Sequence, residues 1–158
     1  MSEQPDQPSP DAVAPLVARG PQNAPATVVV ANGCFDCLHA GHIALLEFAR
    51  EQGDRLIVLV NSDESVRRLK GPGRPIWPFD QRMAVLQACR YVDEVIRFDE
   101  DTPEEMLRIL KPDVLVKGGD YNGRDIPGSG YCGRVLFAPL LEGISTSRIV
   151  STIKGESP

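Results

Sequence analysis

β-Branched and aliphatic runs alternate along the chain with segments whose apolar positions recur at helical spacing. TVVVA at Thr27–Ala31 and RLIVLV at Arg55–Val60 have the composition of strands buried on both faces of a parallel sheet. Between them, Ile43, Leu46 and Ala49 fall on one helical face. Ser62 or Asp63 is placed to cap a helix reaching Leu69, and Asp80 to cap one carrying Met83, Leu86 and Gln87 towards Cys89. GPGRPIWP, at 71–78, separates these two helices and cannot be regular structure, because its prolines and glycines break both ladders. Short strands are predicted at Val95–Phe98, Asp113–Val116 and Val135–Ala138. A helix follows the first of them, with Thr102 as cap and Pro103 at its first position. A last helix covers Ser145–Ile153.

Strands that alternate with helices imply one α/β domain, a Rossmann-like doubly wound parallel sheet with helices on both faces. The domain is expected over 25–154. Residues 1–24 are proline-rich without any sustained apolar period and read as a disordered tail, and 155–158 read as a short tail. In such sheets ligands bind beyond the carboxyl ends of the strands, where strand order reverses. The chemistry is therefore expected after Ala31, Val60 and Val116.

Composition narrows the partners. With 158 residues, 42% hydrophobic and 25% charged, the chain is ordinary globular material, long enough for its own core. A net charge of −5 gives no general attraction to nucleic acid or anionic membrane, so neither is expected as a partner. No apolar run reaches the roughly 20 residues of a membrane span. The N-terminus lacks a secretory signal, and only Cys34 and Cys37 of the four cysteines lie close together, so reduced thiols and a cytoplasmic location are expected.

After the first strand comes Asn32-Gly33-Cys34-Phe35-Asp36-Cys37-Leu38-His39-Ala40-Gly41-His42, leading into a helix. Gly33 permits a tight turn, and Gly41 a close approach that a side chain would obstruct. The helix start offers N–H groups and a positive dipole end to an anionic phosphate. His39 and His42, three apart, can project from one side and hold phosphate oxygens as charge shifts during transfer. The bland alternative for a histidine is a satisfied core or cap residue; both histidines of the chain meeting at one junction argues against it. Cys34, Cys37, His39 and His42 also spell C-x2-C-x-H-x2-H, but four zinc ligands within nine residues make a tetrahedral cage difficult, and no metal site is assigned.

GCFDCLHAGH resembles the signature of the cytidylyltransferase-like nucleotidyltransferases, built around an HxGH motif, and GISTSR at 143–148 resembles their second signature. NSDESVRRLKGPGRPI, the helix with Gln81 and Arg82, and PDVLVKGGDY are further similar to the D-glycero-β-D-manno-heptose 1-phosphate adenylyltransferases, which make ADP-heptose from ATP. The resemblance runs from about Val28 to Ile153. RYVDEV at 90–95 looks more like the glycerol-3-phosphate cytidylyltransferases, which carry an arginine where this chain has Leu140; KGGDY favours the heptose branch. NGRDIPGSGYCG is shorter and richer in glycine than the family's insert, and the sugar kinase often fused to such enzymes is expected as a separate protein.

The resemblance implies roles. Backbone of Gly33, Cys34 and Phe35, with Gly41, lies against the nucleotide's phosphates; His39, His42 and Lys70 are catalytic. Ser145, Thr146 and Ser147 supply hydroxyls and N–H groups to phosphate at a second helix start, with a plain N-cap as the compatible alternative. Gly118 and Gly119 admit the ribose and Asp120 accepts from it, against the alternative of a left-handed turn; Lys117 is a further phosphate candidate. Asp36, Asn61, Asp63, Arg82 and Arg148 are expected towards the acceptor or the leaving group, with surface pairing as the alternative for Lys117 and Arg82. The implied reaction is a direct displacement: an acceptor phosphate oxygen attacks the α-phosphorus of ATP and pyrophosphate leaves opposite, needing alignment and charge neutralisation but no general base. Mg²⁺ is expected to be bound through ATP's phosphates and water, and the enzyme to be a homodimer. Alternatives are another sugar or polyol phosphate as acceptor, glycerol 3-phosphate with CTP foremost, or a non-catalytic nucleotide-binding module.

Overall fold

The computed structural model describes residues 25–121 and 123–155; the expected tails lie outside them, save Gly155. The strands are β1 (Val28–Gly33), β2 (Arg55–Asn61), β3 (Glu94–Phe98), β4 (Val114–Gly118) and β5 (Arg134–Ala138). The helices are α1 (Ala40–Arg50), α2 (Asp63–Lys70), α3 (Phe79–Gln87), α4 (Glu104–Leu110) and α5 (Thr146–Lys154), with single 3₁₀ turns at Gly119–Tyr121 and Ser129–Tyr131. The five strands form one sheet in the order β3-β2-β1-β4-β5, every neighbouring pair parallel. Strand order reverses at β1, which pairs with β2 on one side and β4 on the other.

The side-chain period of two divides the strand residues between two cores. Val29, Ala31, Leu56, Val58 and Val60 pack with Leu46 and Ala49 of α1 and with Phe79 and Leu86 of α3. Val28, Val30, Ile57 and Leu59 face the other way, onto Met106, Leu107 and Leu110 of α4. Both faces are thus covered, as the unbroken aliphatic strands require. Helix α5 contributes no buried residue.

One device recurs at the amino ends of the strands. Asp54, Asp93 and Asp113 each stand immediately before a strand, and each accepts a backbone N–H at the start of the strand beside it. Thr27 N donates to Asp54 Oδ2 (2.8 Å), Leu56 N to Asp93 Oδ2 (2.7 Å) and Val28 N to Asp113 Oδ2 (2.7 Å). These N–H groups precede the parallel ladder's own bonds, and the carboxylates satisfy them.

Several boundaries differ from the sequence reading, β4 among them, which runs on through Lys117 and Gly118. Strand β1 continues through Asn32 and Gly33, which pair with Leu59 and Val60. The turn therefore comes later, and the left-handed backbone falls on Phe35 (φ 48°) and Cys37 (φ 53°) rather than on Gly33. Asp80 is not a cap: α3 starts at Phe79, two residues earlier than a cap at Asp80 would set, with Pro78 at the cap position, because buried Phe79 joins the helix. Likewise α4 starts at Glu104 after Pro103, and Thr102 makes no capping bond.

Candidate active site

At the carboxyl end of the sheet lies a cleft of about 680 Å³, beside the strand where the order reverses. Its walls include Gly33, Cys34, Phe35, Asp36, His39, Gly41 and His42 from the β1–α1 junction. Asn61, Lys70 and Arg74 come from the β2–α3 side, Lys117 and Gly118 end β4, and Asp120 follows it. Ser145, Thr146 and Ser147 open α5. Sequence-predicted residues from four separate stretches thus meet in one place.

The histidines cap their own helix. His39 is the N-cap of α1; its Nδ1 accepts from Gly41 N (3.1 Å), and His42 Nδ1 accepts from His39 N (3.3 Å). The rings stack with centroids 3.9 Å apart. Since both Nδ1 atoms are acceptors, each neutral ring carries its proton on Nε2 and keeps one donor for a ligand. Burial, reinforced by neighbouring His39, lowers the pKa of His42 to about 4, and burial lowers that of His39 as well. A Cβ on Gly41 would stand 3.0 Å from His39 Cε1 and 3.4 Å from Ile144, so that glycine lets α1, the imidazole and the second signature close together. The bland reading, a cap, is what these bonds show, and they leave each ring's proton on Nε2.

Between the two left-handed residues, Asp36 is 1% exposed. Its carboxylate accepts from Arg74 Nε (2.7 Å), Ile76 N (2.8 Å) and Trp77 N (3.0 Å), and its backbone oxygen accepts from Thr146 Oγ1 (2.8 Å). Burial pushes the carboxyl's pKa up, but the two amides and the guanidinium outweigh it and hold the group below its ordinary value. Asp36 therefore joins three walls of the cleft, and its oxygens are already engaged within the fold.

Arg82 is 2% exposed and does not line the cleft. Its Nε donates to Trp77 O, its Nη1 to Cys34 O (2.7 Å) and Asn61 O (2.9 Å), and its Nη2 to Asp63 Oδ1 (2.7 Å). Four of five N–H groups are committed to ends of elements, so Arg82 and Asp63 hold the walls together, contrary to the expected acceptor contacts. Asn61 does reach the cleft, and its amide donates to Ser65 Oγ (3.0 Å). Arg148 lies outside the cleft, in a shallow groove with Ile149, Thr152 and Ile153. Gly119 is also outside, packed with its Cβ position 3.0 Å from Ala138 O. Neither Gly118 nor Gly119 has the left-handed backbone of the alternative reading.

Lys117 is 7% exposed; its Nζ donates to Asn32 Oδ1 (2.9 Å) and sits 4.2 Å from the Tyr121 ring centroid. Burial lowers its pKa. Lys70, the last residue of α2, is exposed at the cleft's rim. Ser145 caps α5 by accepting from Arg148 N (3.2 Å). Cys34 and Cys37 have thiols raised in pKa, chiefly by burial, and face Asn61 Oδ1 and Asp36 Oδ1. Among the described residues no group of three or more His, Cys, Asp or Glu is placed to hold a metal ion. No helix among them is long and apolar enough to cross a membrane.

Asn32, Arg74, Tyr121 and Leu140 line the cleft without having been assigned a role. Arg74 had a signal, a cation four residues beyond Lys70 in a segment too rich in proline and glycine to hide it.

Comparison with known proteins identifies the family. A family model described as cytidylyltransferase-like matches residues 30–151. The chain is 54% identical over 131 residues to the bifunctional protein HldE of Alcanivorax borkumensis and 57% identical over 132 residues to that of Pseudomonas entomophila. These alignments cover 80% and 81% of this chain but 28% of each relative, so the chain spans little more than a quarter of their length. Among solved structures, the lipopolysaccharide core biosynthesis protein from Thermoplasma volcanium superposes with a TM-score of 0.64 at 28% identity, covering 74% of this chain and 99% of that one. With its parallel sheet, its histidine-capped helix and a family match across both signatures, the chain belongs to the cytidylyltransferase-like family.

Proposed function

We propose that the chain is a nucleotidyltransferase that transfers AMP from ATP to D-glycero-β-D-manno-heptose 1-phosphate, giving ADP-heptose and pyrophosphate, and that it works in the cytoplasm as a homodimer. The observation that carries the reading is the bond from Thr146 Oγ1 to Asp36 O, which brings the two signature helix starts to one cleft. There the Nε2–H groups of His39 and His42 would meet the α-phosphate as charge develops on it, while Lys70 and Lys117 neutralise neighbouring phosphates. A sugar phosphate is already an anionic nucleophile, so no residue is needed to take its proton; alignment is the protein's main task. Similarity to the heptose adenylyltransferases in the KGGDY segment, together with the HldE relatives, supports the choice of acceptor.

A divalent ion suits this site only as the nucleotide's companion. The Asp36 oxygens are engaged and no ligand cluster is present among the described residues, leaving single carboxylates such as Asp120 to meet Mg²⁺ held by phosphate and water. The ion would supply charge neutralisation on the departing pyrophosphate.

The test is pyrophosphate release across ATP and CTP crossed with heptose 1-phosphate, glycerol 3-phosphate and other sugar phosphates. ATP with heptose 1-phosphate is expected to be the best pair. His42→Ala is expected to lose about 10²–10³-fold in kcat while its melting transition persists. Release with no pair at all would sink the enzymatic reading, and a clear preference for CTP with glycerol 3-phosphate would replace the acceptor.

A further inference from the structure

Two arginines converge on the signature loop, and they are used in opposite ways. Arg82 has a fully buried side chain that does not line the cleft, and four of its five N–H groups are satisfied by the fold, so it offers no edge to a ligand there. Arg74 lines the cleft with its side chain 17% exposed, and among the described residues only its Nε is engaged, by Asp36. A guanidinium has five donors in a rigid fork. Among the described residues the two terminal nitrogens of Arg74 have no protein partner, and no buried side-chain nitrogen or oxygen lacks one, so they stay open to the cleft and available to an anion.

The surroundings select the class of anion. Arg74 shares the cleft with His39, His42, Lys70 and Lys117, and the carboxylate nearest to it, Asp36, already accepts from two backbone amides as well as from Arg74. Anchoring through Nε fixes the guanidinium plane and leaves the Nη1/Nη2 edge, the geometry that takes two oxygens of one phosphate. We propose that Arg74 is a phosphate-binding residue of the cleft, oriented by Asp36, and that its ligand is a phosphate group of one of the two reactants. Asp36 then acts as a positioning residue through Arg74. The assignment rests on the nucleotidyltransferase reading, since that reading supplies the phosphates.

The experiment is a calorimetric titration of the purified chain with inorganic pyrophosphate, for the nucleotide side, and with glucose 1-phosphate, for the acceptor side. KM and kcat are measured in parallel on the best pair of the panel. Arg74→Gln is expected to weaken at least one probe by about tenfold or more and to raise the matching KM, with the melting temperature close to wild type. Asp36→Asn is expected to weaken the same probe, and the double variant to be little worse than Arg74→Gln alone, as two residues acting through one contact require. Wild-type affinity for both probes in Arg74→Gln overturns the assignment, as does full additivity in the double variant. Should Arg74→Gln fail to fold, Arg74→Lys keeps the charge without the fork, and wild-type affinity there overturns it equally. Failure of the wild type to release pyrophosphate from any pair sinks the proposed activity, whereas unchanged probe affinity in Arg74→Gln sinks this assignment alone.

Discussion

His42 can gain a proton on Nδ1 only by giving up the bond it accepts from His39 N, and with it one end of the cap on α1. The ring titrates near 6.5 when unfolded and at about 4 in the folded chain, so between these values the unfolded state binds more protons. The corresponding stability is complete above pH 6.5 and is lost as pH falls towards 4, a contribution on the order of 2–3 kcal/mol. Urea midpoints measured from pH 7 to pH 4 should show that loss in the wild type and a shallower slope in His42→Gln. A parallel slope in the variant would assign the pH dependence to other groups. The tautomer matters for chemistry as well as stability, because the lone pair that holds the cap is the one that commits the proton to Nε2. The spacing of the two histidines was legible in the sequence; their stacking and reciprocal capping were not, since they depend on the turn that precedes them.

Strands and helices were legible because aliphatic runs and apolar periods are local signals, and each predicted element is present within a few residues of its expected bounds. What escaped was decided by tertiary contact. No glycine marks Phe35 or Cys37, yet both adopt left-handed backbone, at roughly 1 kcal/mol or more each. The surrounding bonds to Cys34 O, to the Asp36 carboxylate and to Asp36 O impose that shape. Arg82 looked like a ligand for the same reason: a helix pattern does not reveal which carbonyls a side chain will find. The three aspartates before β2, β3 and β4 were equally silent, each being an ordinary loop residue until the neighbouring strand lies alongside. Their importance is testable. Asp113→Ala leaves the buried Val28 N–H without its carboxylate and is expected to cost about 1–3 kcal/mol by chemical denaturation. Its kcat should stay near wild type, because that end of the sheet is remote from the cleft; a large drop in kcat at unchanged stability would contradict this division.

The molecule separates its tasks between the two ends of one sheet. Carboxylates at the amino ends close the ladder, while cations, imidazoles and hydroxyls gather at the carboxyl ends. The two signatures are joined by Thr146 Oγ1 and Asp36 O, 110 residues apart in the chain. Thr146→Val keeps the shape and removes the donor. We expect a stability loss of about 1 kcal/mol, and a fall of about tenfold in kcat/KM measured by pyrophosphate release. An unchanged kcat/KM would mean that α5 needs no such tether. The tether also has an energetic side. Helix α5 buries none of its residues, and neither hydrophobic core includes a residue from it, so the sheet's packing is complete without it. Detaching α5 would therefore strip the second signature from the cleft while the sheet stayed folded, and ligands would register the loss well before the fold did.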